Sequence, residues 1–357
     1  MEQAAFDFMK RLIETPSPSG YEERAQSVAA ERLKKLGAKL TVDVHGNLIG
    51  KASGAGPRIV LTGHVDQIGM IVRHISDEGY LHFENIGGIN PHAFLAHRVD
   101  VHAKDGPIRG VVGRTLPMFQ EGDAVRKSMK PHEHWIDIGA KDGDDARSKI
   151  RIGDPVTWVA PVETLGEDLI MGAGIDDKIS VFMCIEALAR STGSAAEVVV
   201  VSAVQEEVTG VGAAVAAYRT KPDLAVAVDV WPMVSDVPGQ GATRYGKLKL
   251  GEGPVIFRGA NSSPIVAELL IEAAEAEEIP YQLCAWPGRT PTDAASIFAS
   301  REGVPTGLIG LPQRYLHTPS EVVNLTDVEN CTKLLAALVA RLEPGMDFTR
   351  TKSILGD

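Results

Sequence analysis

The sequence predicts an α/β protein with a mostly parallel central sheet, interrupted by a small all-β, barrel-like module. Three observations carry this reading. Beyond residue 176, apolar runs of strand length alternate with helical periods, the pattern of parallel strands joined by helical crossovers. Between residues 72 and 161, short strand-like pieces follow one another across turn clusters with no long helical period. Ahead of that stretch lie helices and an apolar strand that belong with the later alternation. The predicted division is residues 1–71 with 162–357 as one domain and residues 72–161 as an insert, and 357 residues at ~150 per domain agrees with two units.

The elements follow in order. Phe6, Met9, Leu12 and Ile13 recur at helical spacing until Pro16-Ser17-Pro18-Ser19-Gly20 stops them. A second helix is predicted over 21–36, and a hairpin over 40–51 around His45-Gly46-Asn47. Arg58-Ile59-Val60-Leu61-Thr62-Gly63-His64 reads as a buried strand. In the insert, strands are predicted at 80–83, 98–103, 108–113 and 155–159. After it come helix 177–189, strand 197–203, helix 211–218, strand 224–229, helix 264–277, strand 281–285, helix 293–300, strand 306–309 and helix 326–342.

Composition excludes several functions. Lys and Arg number 36 against 47 Asp and Glu, a net charge of −11, which disfavours nucleic-acid and anionic-membrane partners. No apolar run reaches the ~18 residues of a membrane span. The first residues lack the basic and apolar regions of a secretory signal. Cys184, Cys284 and Cys331 are scattered and odd in number, which fits a reducing cytoplasm rather than a disulfide framework.

In open α/β sheets, sites form beyond the carboxyl ends of the strands, so polar residues there are the candidates. In Gly63-His64-Val65-Asp66-Gln67, positions i and i+2 share a face, and a carboxylate is what a metal-binding histidine needs on its other nitrogen. Asp176 opens a helix, where it reads either as a cap or as a bridging carboxylate. Glu206 and Glu207 follow the valine-rich strand; two adjacent acids at an active edge repel each other unless a cation intervenes. Asp229 closes an apolar strand, and His317 follows another strand-like run. Each has an ordinary structural explanation. Together, His64, Asp176, Glu207, Asp229 and His317 make the donor count of two metal ions sharing a carboxylate, with Glu206 left as a general base. Histidine with carboxylate suits zinc, cobalt or manganese.

Two decoys are set aside. Gly210-Val211-Gly212-Ala213-Ala214-Val215 imitates a dinucleotide loop, but Val215 occupies the third small position and Glu206 and Glu207 would repel a pyrophosphate. His132-Glu133-His134 imitates a metal pair, but its polar surroundings predict an exposed loop.

The motifs in order resemble those of the M42 metallopeptidases, cytosolic aminopeptidases that include glutamyl aminopeptidase and the tetrahedral self-compartmentalising enzymes. The likeness rests on Gly63-His64-Val65-Asp66-Gln67-Ile68-Gly69-Met70, Asn85-Ile86-Gly87-Gly88, Ile136-Asp137-Ile138-Gly139-Ala140-Lys141, Ile175-Asp176-Asp177-Lys178, Val204-Gln205-Glu206-Glu207-Val208-Thr209-Gly210 and Arg314-Tyr315-Leu316-His317-Thr318-Pro319-Ser320-Glu321. It implies a phosphorylase/hydrolase-like α/β domain with an inserted β module. It implies that Asp176 bridges the metals, His64 and Asp229 complete one site and Glu207 and His317 the other, Glu206 is the catalytic base, and Asp66 orients His64. It further implies peptide substrates, a cytoplasmic location, and dimers assembling into a hollow dodecamer. One stretch departs from the family pattern: where Gly-Gly-Thr-Asp-Ala is usual, this chain reads Pro287-Gly288-Arg289-Thr290-Pro291-Thr292-Asp293-Ala294.

The expectation is a co-catalytic di-metal aminopeptidase. Its rivals are a related deacylase or carboxypeptidase and, in another class, a non-enzymatic assembly stabilised by metal. An unligated Glu206 speaks against the last. The insert holds none of the proposed ligands, so it is expected to build interfaces rather than to serve the metal chemistry.

Overall fold

The chain's apolar positions sort into separate hydrophobic cores: one on each face of a large sheet and one inside a barrel. The computed structural model describes residues 1–115, 131–240 and 246–350. Helices α1 (Gln3–Glu14) and α2 (Glu23–Lys35) open it. On α1 the buried residues are Ala5, Met9, Leu12 and Ile13, one face of a helical period. The hairpin β1 (Lys39–Val42) and β2 (Leu48–Ala52) turns at Gly46, whose φ of +96° suits glycine. Strand β3 (Arg58–His64) is buried over all but its first residue.

The chain then leaves for the insert. Strands β4 (Gly69–Ile75), β5 (Leu81–Ile86), β6 (Arg98–Ala103), β7 (Gly106–Arg114), β8 (His134–Asp137) and β9 (Pro155–Trp158) close in the order β4-β5-β8-β7-β6-β9. Closure leaves no free edge. Met70 and Val72, Leu81 and Phe83, Val99 and Val101 fill the interior, every second residue along each strand. The barrel begins at Gly69, ahead of the expected residue 72, because Ile68 and Met70 already belong to its core.

Two details of the insert, its short helix and the place of His134, differ from the sequence reading. A short helix, α3 (Gly143–Lys149), lies within it; at seven residues it is too short to display a period, and it is recognisable by its cap, where Asp142 accepts from Asp145 N at 2.8 Å. His132 and Glu133 are exposed as expected, but His134 begins β8 and is buried against Phe94, ring centroids 5.4 Å apart. Strand alternation puts His134 on the inner face with Ile136. Phe94 fills the barrel core against Phe83, whereas the adjacent Leu95 is exposed.

The remaining elements are β10 (Glu163–Leu165), β11 (Leu169–Gly172), α4 (Ile175–Arg190), β12 (Glu197–Ala203), α5 (Val211–Thr220), β13 (Leu224–Trp231), β14 (Val255–Gly259), α6 (Pro264–Ala276), β15 (Gln282–Trp286), α7 (Asp293–Phe298), β16 (Thr306–Arg314), β17 (Glu321–Asn324) and α8 (Leu325–Ala340). The large sheet runs β1-β2-β12-β3-β13-β16-β17-β11-β10, with β14 also on β16 and β15 beyond it. Its centre, β12-β3-β13-β16, is parallel. Most flanking pairs are antiparallel; of these, β1-β2, β10-β11 and β16-β17 are closed by hairpins or short returns. Alternation along β12 sends Val198 and Val200 to the core shared with α1, α4 and α8, and Val199 and Val201 to the core shared with α5 and α7.

Candidate active site

The parallel centre aims the carboxyl ends of four strands at one place. β3 ends in His64; β12 runs through Val204 and Gln205 into Glu206 and Glu207; β13 carries Asp229; the loop after β16 carries His317. Helix α4 brings Asp176 to the same place. That approach depends on Gly63, since a Cβ there would lie 2.6 Å from Ser180 Cβ on α4.

Asp176 sits between the two histidines. Its Oδ1 is 3.2 Å from His64 Nε2 and its Oδ2 is 3.3 Å from His317 Nε2. Asp229 Oδ1 lies 3.9 Å from His64 Nε2, and Glu207 Oε2 lies 3.4 Å from His317 Nε2. Two donor sets result, His64 with Asp176 and Asp229, and Asp176 with Glu207 and His317, the atoms of each within 4.8 Å of one another. Glu206 belongs to neither set, although its Oε2 is 3.8 Å from His64 Nε2. Asp176 is not the helix cap: Gly174 occupies that position, and Asp176 has non-helical dihedrals. The following Asp176–Asp177 peptide is cis.

Both rings are aimed by backbone carbonyls. His64 Nδ1 donates to Asp66 O at 3.0 Å, with Asp66 Oδ1 3.4 Å away. His317 Nδ1 donates to Gly88 O. A carbonyl only accepts, so in the neutral ring that a metal requires each Nε2 has its lone pair toward the cluster. Gly88 follows β5 of the barrel, so the insert does reach the site, contrary to the expectation that it takes no part there. Sequence spacing could not reveal this, because 229 residues separate Gly88 from His317.

Asp66 does more than face His64. Its carboxylate, fully buried, accepts from Ser19 Oγ at 2.6 Å, Glu206 N at 3.1 Å and Glu207 N at 3.2 Å. It therefore ties the strand end carrying His64 to the loop carrying both glutamates.

Four further residues were not singled out from sequence. Asp177 is buried and accepts from His64 N at 3.3 Å and from Ser180 Oγ. Glu321 is buried and accepts from Asp176 N at 3.0 Å and His317 N at 3.3 Å. Lys178 is buried and donates to Gln67 Oε1 at 2.6 Å and Thr15 O at 2.9 Å. Asp293 is buried with neither carboxylate oxygen hydrogen-bonded among the described residues. All four stand inside segments quoted above, yet an acid or lysine in such a place reads as solvated until burial is known.

The site is overloaded with negative charge. Burial pushes the Glu206 carboxyl up to about 7 and the Glu207 and Asp229 carboxyls well above their ordinary range, helped by the neighbouring acids. Burial opposes ionisation of Asp176 too, but His317 and His64 hold it below its usual value. Burial also opposes charge on the histidines; Asp176 and Asp66 nevertheless raise His64 well above normal, and Asp176 and Glu207 raise His317 to about 10. The cluster thus calls for cations the chain does not supply. Divalent metal fits it: the donors are nitrogen and oxygen, the two sets share Asp176, and Glu207 Oε1 is buried without a hydrogen-bond partner among the described residues.

A family model for M42 glutamyl aminopeptidase matches residues 46–334. The chain belongs to the M42 peptidase family. Among relatives of this M42 peptidase is the lysyl aminopeptidase of Pyrococcus furiosus, 33% identical over 352 residues, 96% of this chain and 99% of that one. The TET aminopeptidase of the marine-sediment archaeon Thaumarchaeota archaeon SCGC AB-539-E09 superposes with a TM-score of 0.90 at 31% identity, covering 96% and 98% of the two chains. The TET1 peptidase of Pyrococcus horikoshii, which assembles into a tetrahedron or a large octahedral shell, superposes with a TM-score of 0.83 at 30% identity over 95% of this chain and all of that one. The α/β domain with its closed barrel is therefore the fold of the TET aminopeptidases, and the chain is a peptidase of the aminopeptidase type.

Proposed function

We propose that this M42 peptidase is a di-metal aminopeptidase that removes N-terminal residues from peptides. The observation that supports this best is the divided Asp176 carboxylate, one oxygen toward each histidine, beside a Glu206 that joins neither donor set. His64, Asp176 and Asp229 would hold one ion, and Asp176, Glu207 and His317 the other. When bound, two such ions supply Lewis acidity toward a peptide carbonyl and a water. Zinc, cobalt and manganese suit the donors, none of which is a cysteine. Glu206 would accept the water's proton and return it to the leaving amine. Asp66 would hold Glu206 in register through its backbone N–H, and the Gly88 and Asp66 carbonyls would keep each histidine in one tautomer.

A panel of aminoacyl p-nitroanilides with an N-acetylated peptide tests the reading on metal-loaded protein. Substrates with a free amine should be cleaved and the acetylated peptide spared; release of C-terminal residues or of acyl groups instead would establish a carboxypeptidase or a deacylase. We also infer self-association through the barrel to dimers and a dodecamer, in line with the tetrahedron or octahedral shell of the Pyrococcus horikoshii peptidase, and a cytoplasmic location. No helix among the described residues is long and apolar enough to cross a membrane. The native enzyme should elute far above its 38.1 kDa chain mass and cleave short peptides but not folded proteins. A fully active monomer by light scattering would refute the assembly and leave the chemistry standing.

The barrel's reach into the site gives a further expected result. A Cβ at Gly87, where φ is +78°, would lie 2.7 Å from Ile68 Cγ2 and 3.3 Å from Glu207 Oε2. Gly87→Ala should therefore cost the ion held by Asp176, Glu207 and His317 and leave the other. Elemental analysis after dialysis should show one ion per chain instead of two; two ions with unchanged affinity would show that the barrel does not shape that site.

A further inference from the structure

We propose that Arg289 selects substrate by pairing its guanidinium with a carboxylate of the bound peptide; this rests on the aminopeptidase reading above. The cleft that contains the donor sets has a volume of about 480 Å³, and Trp231, Met233 and Leu316 give it an apolar wall. Arg289 is the one lysine or arginine among the described residues that line it. It lies in the loop between β15 and α7.

Among the described residues the guanidinium is unengaged. Arg289 is exposed, and its side chain has no hydrogen-bond or ion-pair partner among the described residues. Other arginines are engaged: Arg32 with Glu186, Arg58 with Glu197 and Arg190 with Glu329, at 2.8 Å each. The backbone that carries Arg289, by contrast, is fixed. Trp286 Nε1 donates to Arg289 O at 3.0 Å, Thr290 N donates to Asn261 Oδ1 at 3.3 Å, and Thr290 Oγ1 is 3.0 Å from Thr292 Oγ1. Pro287 and Pro291 bracket the turn and restrict φ on both sides. Trp286 in turn packs edge-on against Trp231, centroids 5.2 Å apart, so the turn is braced on the strand that carries Asp229. With the backbone already fixed, the side chain alone is ordered when the head binds.

An arginine offers a planar fork that matches a carboxylate with two parallel hydrogen bonds. The acids that line the cleft, Asp176, Glu206, Glu207 and Asp229, do not pair with that group, which leaves Arg289 as its one guanidinium or ammonium partner there among the described residues. Two parts of a peptide present a carboxylate: the side chain of an acidic residue, and the main-chain terminus of a short peptide. Both ask the same of Arg289.

Steady-state kinetics on the metal-loaded enzyme distinguish them. The substrates are Glu-p-nitroanilide, Leu-p-nitroanilide, Leu-Gly-Gly and Leu-Gly-Gly-amide, and the variants are Arg289→Gln and Arg289→Lys. Arg289→Gln should lower kcat/KM by ~10–100-fold, mainly through KM, on a carboxylate substrate, and stay within about twofold on Leu-p-nitroanilide and the amide. A loss on Glu-p-nitroanilide identifies the side chain as the source, and a loss on Leu-Gly-Gly but not its amide identifies the terminus. Arg289→Lys should recover part of the loss. An equal effect on all four substrates, or none on any, would overturn the proposal while leaving the aminopeptidase reading intact. Failure of the wild-type enzyme to cleave any of the four would overturn both.

Discussion

Stripping divalent metal from the protein should abolish peptidase activity, and Asp176→Ala should do so irreversibly. Chelated wild-type enzyme should recover with zinc, cobalt or manganese; the variant should not. The reason is the position of Asp176: it is the one carboxylate that belongs to both donor sets, so its loss leaves each set with two donors. Those remaining donors include Glu207 and Asp229, whose burial raises their carboxyls well above the ordinary range, so a weakly held ion would also compete with protons. Elemental analysis should give close to two ions per chain for the wild type and close to none for the variant. Full activity in protein shown to be metal-free would sink the di-metal reading outright. Unfolding profiles of the two apo forms should be compared, so that a folding defect is not mistaken for lost ligation.

Glu206→Gln should lower kcat by ~10²–10⁴-fold while both ions stay bound. Glutamine keeps the shape and the backbone N–H that donates to Asp66, but it cannot take a proton. Glu206 differs from its neighbour Glu207 in geometry rather than in kind. Glu207 faces His317 at 3.4 Å within a donor set, whereas Glu206 stands outside both. The matched variant Glu207→Gln should empty one metal position. If instead Glu206→Gln loses an ion and turns over normally once refilled, the two glutamates have exchanged roles.

Sequence alone carried the α/β class, the β insert and the residues that meet at the strand ends. The physical reason is local: a buried strand announces itself by an apolar run, and a His or acid at its end is conspicuous. His64 after Ile59-Val60-Leu61 and Asp229 after Ala225-Val226-Ala227-Val228 are of this kind. What escaped depends on burial and on distance along the chain. Glu321 precedes two valines and looks like a solvated acid beside a short edge strand, yet it is buried and holds the backbones of Asp176 and His317. Gly88 has no side chain to attract notice; its carbonyl acts on a histidine from another domain. The parallel centre of the sheet was legible and its antiparallel flank was not, since β17 is a short strand reached from β16 by a return loop and not by a helical crossover.

The route of the chain through the sheet also fixes an order of synthesis. Strand β3 lies between β12 and β13, whose residues begin at Glu197 and Leu224, so a ribosome must add well over a hundred residues before β3 meets either neighbour. The barrel, in contrast, pairs only with itself and is complete once Trp158 has emerged. A growing chain therefore holds a finished barrel attached to an apolar strand with nothing beside it, and loop-closure entropy makes the distant pairings the slow ones. The proposed metal cluster, drawn from β3, α4, β12, β13 and the loop beyond β16, is therefore complete only late in synthesis, with β17 and α8 alone still to follow. On the proposed ligand set, a nascent chain cut short before residue 317 lacks one of the donors of the second ion.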